Sequence, residues 1–306
     1  MSWGRRRKVV IDTDPGIDDA IALLWACGSP LLDIRAVTTV GGNVGLGTVT
    51  TNALNLLHTA GHKAPVYAGA RRPLKRQPVA EARIHGSNGL GGIELPQANT
   101  SMWSQPAVAA LADLLKKAPE GALDLLLLGP MTNLAKLLQE APEAAKRLGR
   151  VIAMGGAVDA PGNTRVSTDG AKAEFNIAHD PEAAAEVFQA VTSQDLDLTL
   201  IPLDCTRQFR ATRDWAASLT GPRGEIAGAL IGAYFEATAG AESRPLHDPC
   251  VPLLAAMPEI FELETRALAV DLEAQPGVLV PGVHKISVAI EVDAEAARRF
   301  LAEGLA

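Results

Sequence analysis

The chain has 306 residues, 47% of them hydrophobic and 21% charged, a balance that excludes a disordered chain, a collagen-like chain and a disulfide scaffold. Its formal net charge of −7 argues against nucleic acid and anionic membrane surfaces as partners. Aromatic residues amount to only 4%, so the core has to be built from Leu, Val, Ile and Ala.

Residues 8–12 (KVVID) read as a buried strand, and residues 18–27 (DDAIALLWAC) as a helix closed by Gly28 and Pro30. Residues 34–40 form a second strand, 48–60 a helix ending at Gly61, and 66–68 a short third strand. Residues 70–103 are rich in Gly, Pro and Arg without a period, which marks a long loop of the functional or mobile kind. Then follow a helix at 105–117, a strand at 123–128, a helix from Thr132 and a strand at 151–154. A helix at 181–190, a strand at 196–201 and a helix at 225–238 come next. Strands at 267–271 and 284–292 and a helix at 293–304 close the chain. This alternation predicts a single α/β domain over residues 1–306, Rossmann-like, with a mostly parallel sheet flanked by helices.

Cys27, Cys205 and Cys250 are scattered and form no CxxC pair, which suits reduced thiols in the cytoplasm. The basic start, Arg5 to Lys8, is followed only by Val9-Val10-Ile11 before Asp12, too short an apolar run for a signal peptide. No apolar stretch nears the roughly 20 residues of a membrane span.

The chemistry concentrates at the end of the first strand. The segment Asp12-Thr13-Asp14-Pro15-Gly16-Ile17-Asp18-Asp19 holds four carboxylates in eight residues. Asp12 and Asp14 share one side of the strand through its period of two. Pro15 holds Asp14 extended, Gly16 allows a sharp turn, and Asp18 and Asp19 open the helix where its dipole favours negative charge. Ligands of open α/β sheets bind at these carboxyl ends. Taken singly, Asp18 and Asp19 are helix-start residues; four crowded carboxylates together call for a hard cation, Ca²⁺ or Mg²⁺. Two reaction classes fit: phosphoryl transfer through an aspartyl nucleophile, against which Gly16 counts because DxDx(T/V) phosphatases want Thr or Val there, and metal-assisted hydrolysis with one Asp as base.

The stretch VIDTDPGIDDAIAL resembles the N-terminal signature of the inosine–uridine-preferring nucleoside hydrolases. The similarity continues in order through Thr38-Thr39-Val40-Gly41-Gly42-Asn43, Ile84-His85-Gly86, Gly129-Pro130-Met131-Thr132-Asn133 and Met154-Gly155-Gly156. Glu174-Phe175-Asn176 and His247-Asp248-Pro249-Cys250 complete it, so that it spans nearly the whole chain. The resemblance implies Ca²⁺-dependent hydrolysis of the N-glycosidic bond of ribonucleosides. It implies Ca²⁺ held by Asp14, Asp19, Asp248 and the backbone carbonyl of Leu128, with Asp14 as the base on the attacking water. It assigns Asp18, Asn43, Glu174, Asn176, Asn163 and Met154 to the ribose. His247 becomes the acid for the leaving base, with His85 close to that base. A homodimer or homotetramer is the implied assembly.

The remaining features have plainer readings. His-Asp-Pro occurs at 179–181 and again at 247–249. The first is a helix start with Asp180 as N-cap and Pro181 at N1; only the resemblance lifts Asp248 in the second to a metal ligand. The run Gly42 to Gly47 lacks the GxGxxG order and a Walker lysine, so it reads as a tight turn, and a nucleoside suits the site better than a nucleotide. Arg71, Arg72, Lys75 and Arg76 read as a solvated loop face, and Cys250 as a small residue packed inward. Residues 163–174 are several residues longer than is common in the family. His85 and His247 resemble the non-specific and pyrimidine-preferring branches; between Tyr234 and His247, where relatives often place base contacts, this chain has Tyr234, Phe235 and Glu236 and then a small, flexible run, so base preference does not carry over. The alternatives are an unusual ribosyl substrate such as a modified or nicotinamide riboside, a Mg²⁺-dependent phosphatase, and a metal- and ribose-binding relative without turnover.

Overall fold

Strands that alternate with helices at short intervals have one economical arrangement, a sheet with right-handed crossovers. The computed structural model, which describes residues 6–78, 82–165, 172–238 and 241–306, shows that arrangement. β1 (Arg7–Thr13), α1 (Ile17–Gly28), β2 (Leu32–Thr39), α2 (Leu46–Thr59) and β3 (Val66–Ala68) form the first half. α3 (Ala107–Lys117), β4 (Leu123–Leu127), α4 (Thr132–Glu140) and β5 (Val151–Met154) lead into the second. They are followed by α5 (Phe175–His179), α6 (Pro181–Ser193), β6 (Leu198–Ile201) and α7 (Gly221–Glu236). α8 (Cys250–Ala256), β7 (Phe261–Val270), β8 (Leu279–Pro281), β9 (His284–Val292) and α9 (Ala294–Leu305) complete the chain.

The nine-stranded sheet has the order β8-β7-β9-β6-β5-β4-β1-β2-β3. Every pairing from β3 across to β9 is parallel, and β7 runs antiparallel to both β9 and β8. The expected mostly parallel sheet is therefore present. The winding reverses between β1, which pairs with β2, and β4, which pairs with β1 and β5. That reversal leaves a crevice at the carboxyl ends of β1 and β4, the natural place for a ligand.

Strand periodicity distributes the core over both faces. Val9 and Ile11 of β1, Leu126 of β4 and Ile152 of β5 pack with α1, α7, α8 and α9. Val10, Leu125, Leu127, Val151 and Ala153 pack with α3, α4 and α6. Strands buried on both faces have no polar side, which is why they read as continuous apolar runs.

Some boundaries differ from the sequence reading. β7 begins at Phe261 rather than 267, because Glu262, Glu264 and Arg266 interrupt the apolar pattern on strands near the sheet edge. Short helices at Phe175–His179, Leu203–Thr206 and Arg213–Ala217 were not anticipated; each is too short to show a period. The long segment 70–103 contains the short helix Ala82–His85 and is tied down at several points. Leu74 N–H donates to Asp180 at 2.9 Å, Arg76 pairs with Glu182 at 2.9 Å, and Ala98 N–H donates to Asn55 at 2.9 Å. Arg71, Arg72 and Lys75 are exposed and Cys250 is buried, as expected. Asp180 accepts from Ala183 N–H at 3.1 Å, the capping bond read from the sequence. Among the described residues no helix is long and apolar enough to cross a membrane.

Candidate active site

The site grows from the last turn of β1. Asp14 leaves the strand fully buried, between the turn after β2 and the turn after β4. Gly42 and Gly129 flank it, and a Cβ on either would collide with its carboxylate. Both glycines are there for close approach of the backbone. The Asn43 backbone N–H donates to Asp14 Oδ2 at 2.7 Å. Asp14 Oδ1 is buried without a hydrogen-bond partner among the described residues.

Asp19 is the opposite case. Its Oδ1 accepts from the Thr13 hydroxyl at 2.6 Å and from Asp14 N–H at 3.2 Å. Its Oδ2 accepts from Gly16 N–H and from the Asn43 amide, both at 3.0 Å. Asp19 thus satisfies the N–H groups of the turn into α1, while the Asp18 carboxylate takes backbone hydrogen bonds from its own N–H and from His247 and Asp248. Below both lies Asp12, whose Oδ1 accepts from the Thr38 hydroxyl and, at 2.7 Å, from the Asn133 amide. Asn133 also receives the Ala70 N–H at 2.8 Å and donates to the Thr39 carbonyl at 3.1 Å. It ties together the ends of three strands. The motif Gly-Pro-Met-Thr-Asn contained Asn133, but nothing local indicated that role.

Tertiary structure adds Asp248 from the start of α8. Asp18, Asp19 and Asp248 each offer an oxygen within 4.8 Å of one another, all three residues being buried. Such a set is all-oxygen and can hold a hard divalent cation. Burial, reinforced by the neighbouring carboxylates, pushes the Asp14 and Asp248 carboxyls well above the ordinary range. Burial and the charge of Asp19 push Asp18 up to about 7, and burial alone outweighs two hydrogen bonds to bring Asp12 to about 7. Burial and mutual repulsion disfavour the charged forms, and among the described residues no basic side chain offsets them.

The far wall comes from β4, β5 and α5. The Asn176 amide donates to the Leu128 carbonyl at 2.8 Å and to the Met154 carbonyl at 3.2 Å, bridging two strand ends. Glu174 is the N-cap of α5: Oε1 accepts from Asn176 N–H at 2.8 Å, and Oε2 from Gly156 N–H at 2.9 Å and Ile177 N–H at 3.1 Å. Burial nonetheless raises its carboxyl. The mouth carries two histidines. His85 Nδ1 accepts the Ile17 N–H at 3.1 Å, and His247 Nδ1 lies 2.7 Å from the Thr206 hydroxyl. Burial, with Arg207 and Arg210 nearby, pushes the His247 imidazolium down to about 3, so the ring is neutral near pH 7.

These groups border an open cleft of about 90 Å³. Asp18, Asn43, His85, Leu128, Met154, Asn163, Glu174, Asn176, His247 and Asp248 all line it. Asp14 and Asp19 are not part of its lining; both are hydrogen-bonded to Asn43, which is. Asn163 is exposed at the rim and held by its N–H to the Ala173 carbonyl at 2.9 Å. Of the longer stretch read from the sequence, residues 166–171 lie outside the described residues. Ile84, Thr164, Phe175 and Tyr234 also line the cleft. Tyr234 stands out in sequence only as an aromatic, and the others carry no local signal.

Residues 9–299 match the family described as inosine-uridine preferring nucleoside hydrolase. The non-specific ribonucleoside hydrolase RihC of Escherichia coli is 35% identical over 312 aligned residues, covering 98% of this chain and 99% of that protein. The protein of the same description from Shigella boydii is 36% identical with the same coverage. A solved plant nucleoside hydrolase superposes with a TM-score of 0.88 at 31% identity, over 98% of this chain and 99% of its own. A purine-preferring ribonucleoside hydrolase from Gardnerella vaginalis gives 0.88 at 28% identity, over 98% of each chain.

Proposed function

The chain belongs to the inosine-uridine preferring nucleoside hydrolase family, and on that premise we propose that it hydrolyses the N-glycosidic bond of ribonucleosides to ribose and free base. The observation that carries the reading is the buried Asp14 oxygen without a partner, set among carboxylates at the strand-order reversal. The relatives named non-specific favour a broad base range, with pyrimidines included.

The donor set fits a divalent cation, Ca²⁺ in this reading. In this reading Asp14, Asp19, Asp248 and the Leu128 carbonyl would hold it; the carboxylates that the fold brings within 4.8 Å of one another are Asp18, Asp19 and Asp248, so that Asp18 stands where the resemblance put Asp14. Bound there, the cation would neutralise the crowded carboxylates and make an attacking water more acidic. The chain's own groups do the rest. Asp14 Oδ2 is anchored by Asn43, which leaves Oδ1 to take the proton from water. Asp18, Asn43, Glu174 and Asn176, with Met154 and Asn163 at the edges, grip the ribose. As the glycosidic bond lengthens, positive charge grows on the sugar, and carboxylates already fixed in place stabilise it. His247 and His85 face the leaving base. The neutral His247 ring contributes a hydrogen bond to it instead of a full positive charge.

We also read residues 1–306 as one domain, working as a homodimer or homotetramer in the cytoplasm, where the unpaired thiols Cys27, Cys205 and Cys250 are at home. Light scattering tests the assembly. The deciding experiment for the reaction is ribose release from inosine, uridine, cytidine, adenosine and guanosine, with chelator, without it, and after Ca²⁺ is restored. Chelator-sensitive release that Ca²⁺ restores is expected. No release from any of the five would overturn the reading.

A further inference from the structure

The His247 side chain has two nitrogens, and only one environment for them is built by the protein. Its Nδ1 lies 2.7 Å from the hydroxyl of Thr206, a residue 41 positions earlier in the chain. Thr206 ends the one-turn helix Leu203–Thr206 that follows β6, and it is fully buried. Its N–H donates to the Pro202 carbonyl at 3.0 Å, and its own carbonyl receives the Phe209 N–H at 3.2 Å. The Phe209 carbonyl in turn receives the Leu246 N–H at 2.9 Å. The bond from Leu246 to Phe209 thus staples the two segments beside the Thr206–His247 pair. A β-branched side chain is stiff about χ1, so the hydroxyl is held in place.

A hydroxyl has one proton. Among the described residues the Thr206 oxygen has no hydrogen-bond partner other than His247. If Nδ1 carried the ring proton and donated it, the buried hydroxyl proton would be left without an acceptor, which costs free energy. The favourable arrangement has the hydroxyl donating to Nδ1. The single proton of the neutral ring then sits on Nε2, which makes no hydrogen bond to the described residues in a side chain that lines the cleft. A charged ring would also present an Nδ1–H to Thr206 and leave the same hydroxyl proton without an acceptor. The contact geometry by itself therefore selects the form with Nδ1 unprotonated.

We propose that Thr206 is a positioning residue: its hydroxyl donates to His247 Nδ1 and holds the imidazole as the Nε2–H form, ready to hydrogen-bond the leaving base. This rests on the reading of His247 as the base-side donor. Thr206 itself touches no substrate.

Two measurements test it. In the full chain labelled with ¹⁵N-histidine, His247 should show Nδ1 as an unprotonated acceptor and Nε2 as an N–H; an Nδ1–H tautomer overturns the proposal. In kinetics, Thr206→Val should lower kcat for uridine by about tenfold, the worth of one such hydrogen bond, with KM little changed. Turnover of nitrophenyl riboside, whose leaving group needs no donor, should hardly move. Thr206→Ser should restore most of the uridine rate. Equal losses for both substrates, or no rescue by Ser, would mark a merely structural residue and overturn the proposal. His247→Ala run alongside separates the failures. If it too loses both substrates equally, the base-side reading of His247 fails and takes this inference with it. If it is selective while Thr206→Val is silent or unselective, only the Thr206 inference falls. Should Thr206→Val not fold, Thr206→Ser and the tautomer of the unaltered chain still decide.

Discussion

Asn43 donates its backbone N–H to Asp14 Oδ2 at 2.7 Å, while Asp14 Oδ1, equally buried, has no partner among the described residues. The two oxygens of one carboxylate thus have different duties, one for anchorage and one for chemistry. Asp12 Oδ2 is likewise buried without a partner among the described residues; what distinguishes Asp14 is that its carboxylate also faces the charges of Asp19 and Asp18. Asp14→Ala should therefore keep the fold and lose turnover by several orders of magnitude, as removal of a base at the reacting centre does. Near-normal ribose release from a correctly melting Asp14→Ala protein would refute the assignment of the base.

The carboxylate stack should make the metal-free protein sensitive to pH. Asp12 and Asp18 titrate near 7 in the folded chain against 3.8 ordinarily. The folded state then binds more protons than the unfolded state between those values, so stability falls as pH rises through that window. In chelator, Tm should decline between about pH 4 and about pH 7. Added Ca²⁺ should raise Tm most at the upper end, where the carboxylates are charged. A chelated protein that gains stability over the same range would contradict this.

Gly42→Ala places a methyl group against the Asp14 carboxylate. The carboxylate has little room to retreat, because Gly129 presses from its other side. Activity should fall at least a hundredfold, the scale of an ångström-level misplacement at a reacting group, with a smaller effect on Tm. Assay and thermal melt of the purified variant give both readouts.

Asn133 connects Asp12, Thr39 and Ala70. Asn133→Ala strands the Ala70 N–H and removes one of the two donors to Asp12. A loss of about 3 kcal/mol is expected for such a buried network, read from urea unfolding in chelator. A change under about 0.5 kcal/mol would place it among ordinary surface substitutions, against its role as the tie between strand ends.

The ribose grip proposed for Asp18, Asn43, Glu174 and Asn176 should discriminate against missing hydroxyls. A pocket built to hydrogen-bond a hydroxyl leaves its own polar groups unpaired when that hydroxyl is absent. For 2′-deoxyuridine, kcat/KM should fall by about a thousandfold or more against uridine. Comparable rates would remove these residues from the ribose side.

Much of this was legible in sequence because it depends on neighbours along the chain. Period-two spacing puts Asp12 and Asp14 on one side of β1, and the Pro-Gly turn aims Asp18 and Asp19 at the same strand end. Apolar runs separated by helical periods determined a parallel sheet before any contact was known. The short helix Leu203–Thr206 was not legible, and with it went the bond from Thr206 to His247.

The sequence by itself determined which residues could carry the chemistry and at which strand end they gather. Only the tertiary structure decided that Asp248 meets Asp18 and Asp19, that Asn176 bridges the carbonyls of Leu128 and Met154, and that Asn133 ties three strand ends. The reason is that each of these contacts joins residues from different strand ends. Their distances are set by the order of strands in the sheet, which comes from packing both faces of the whole sheet and has no signature in any local stretch of chain.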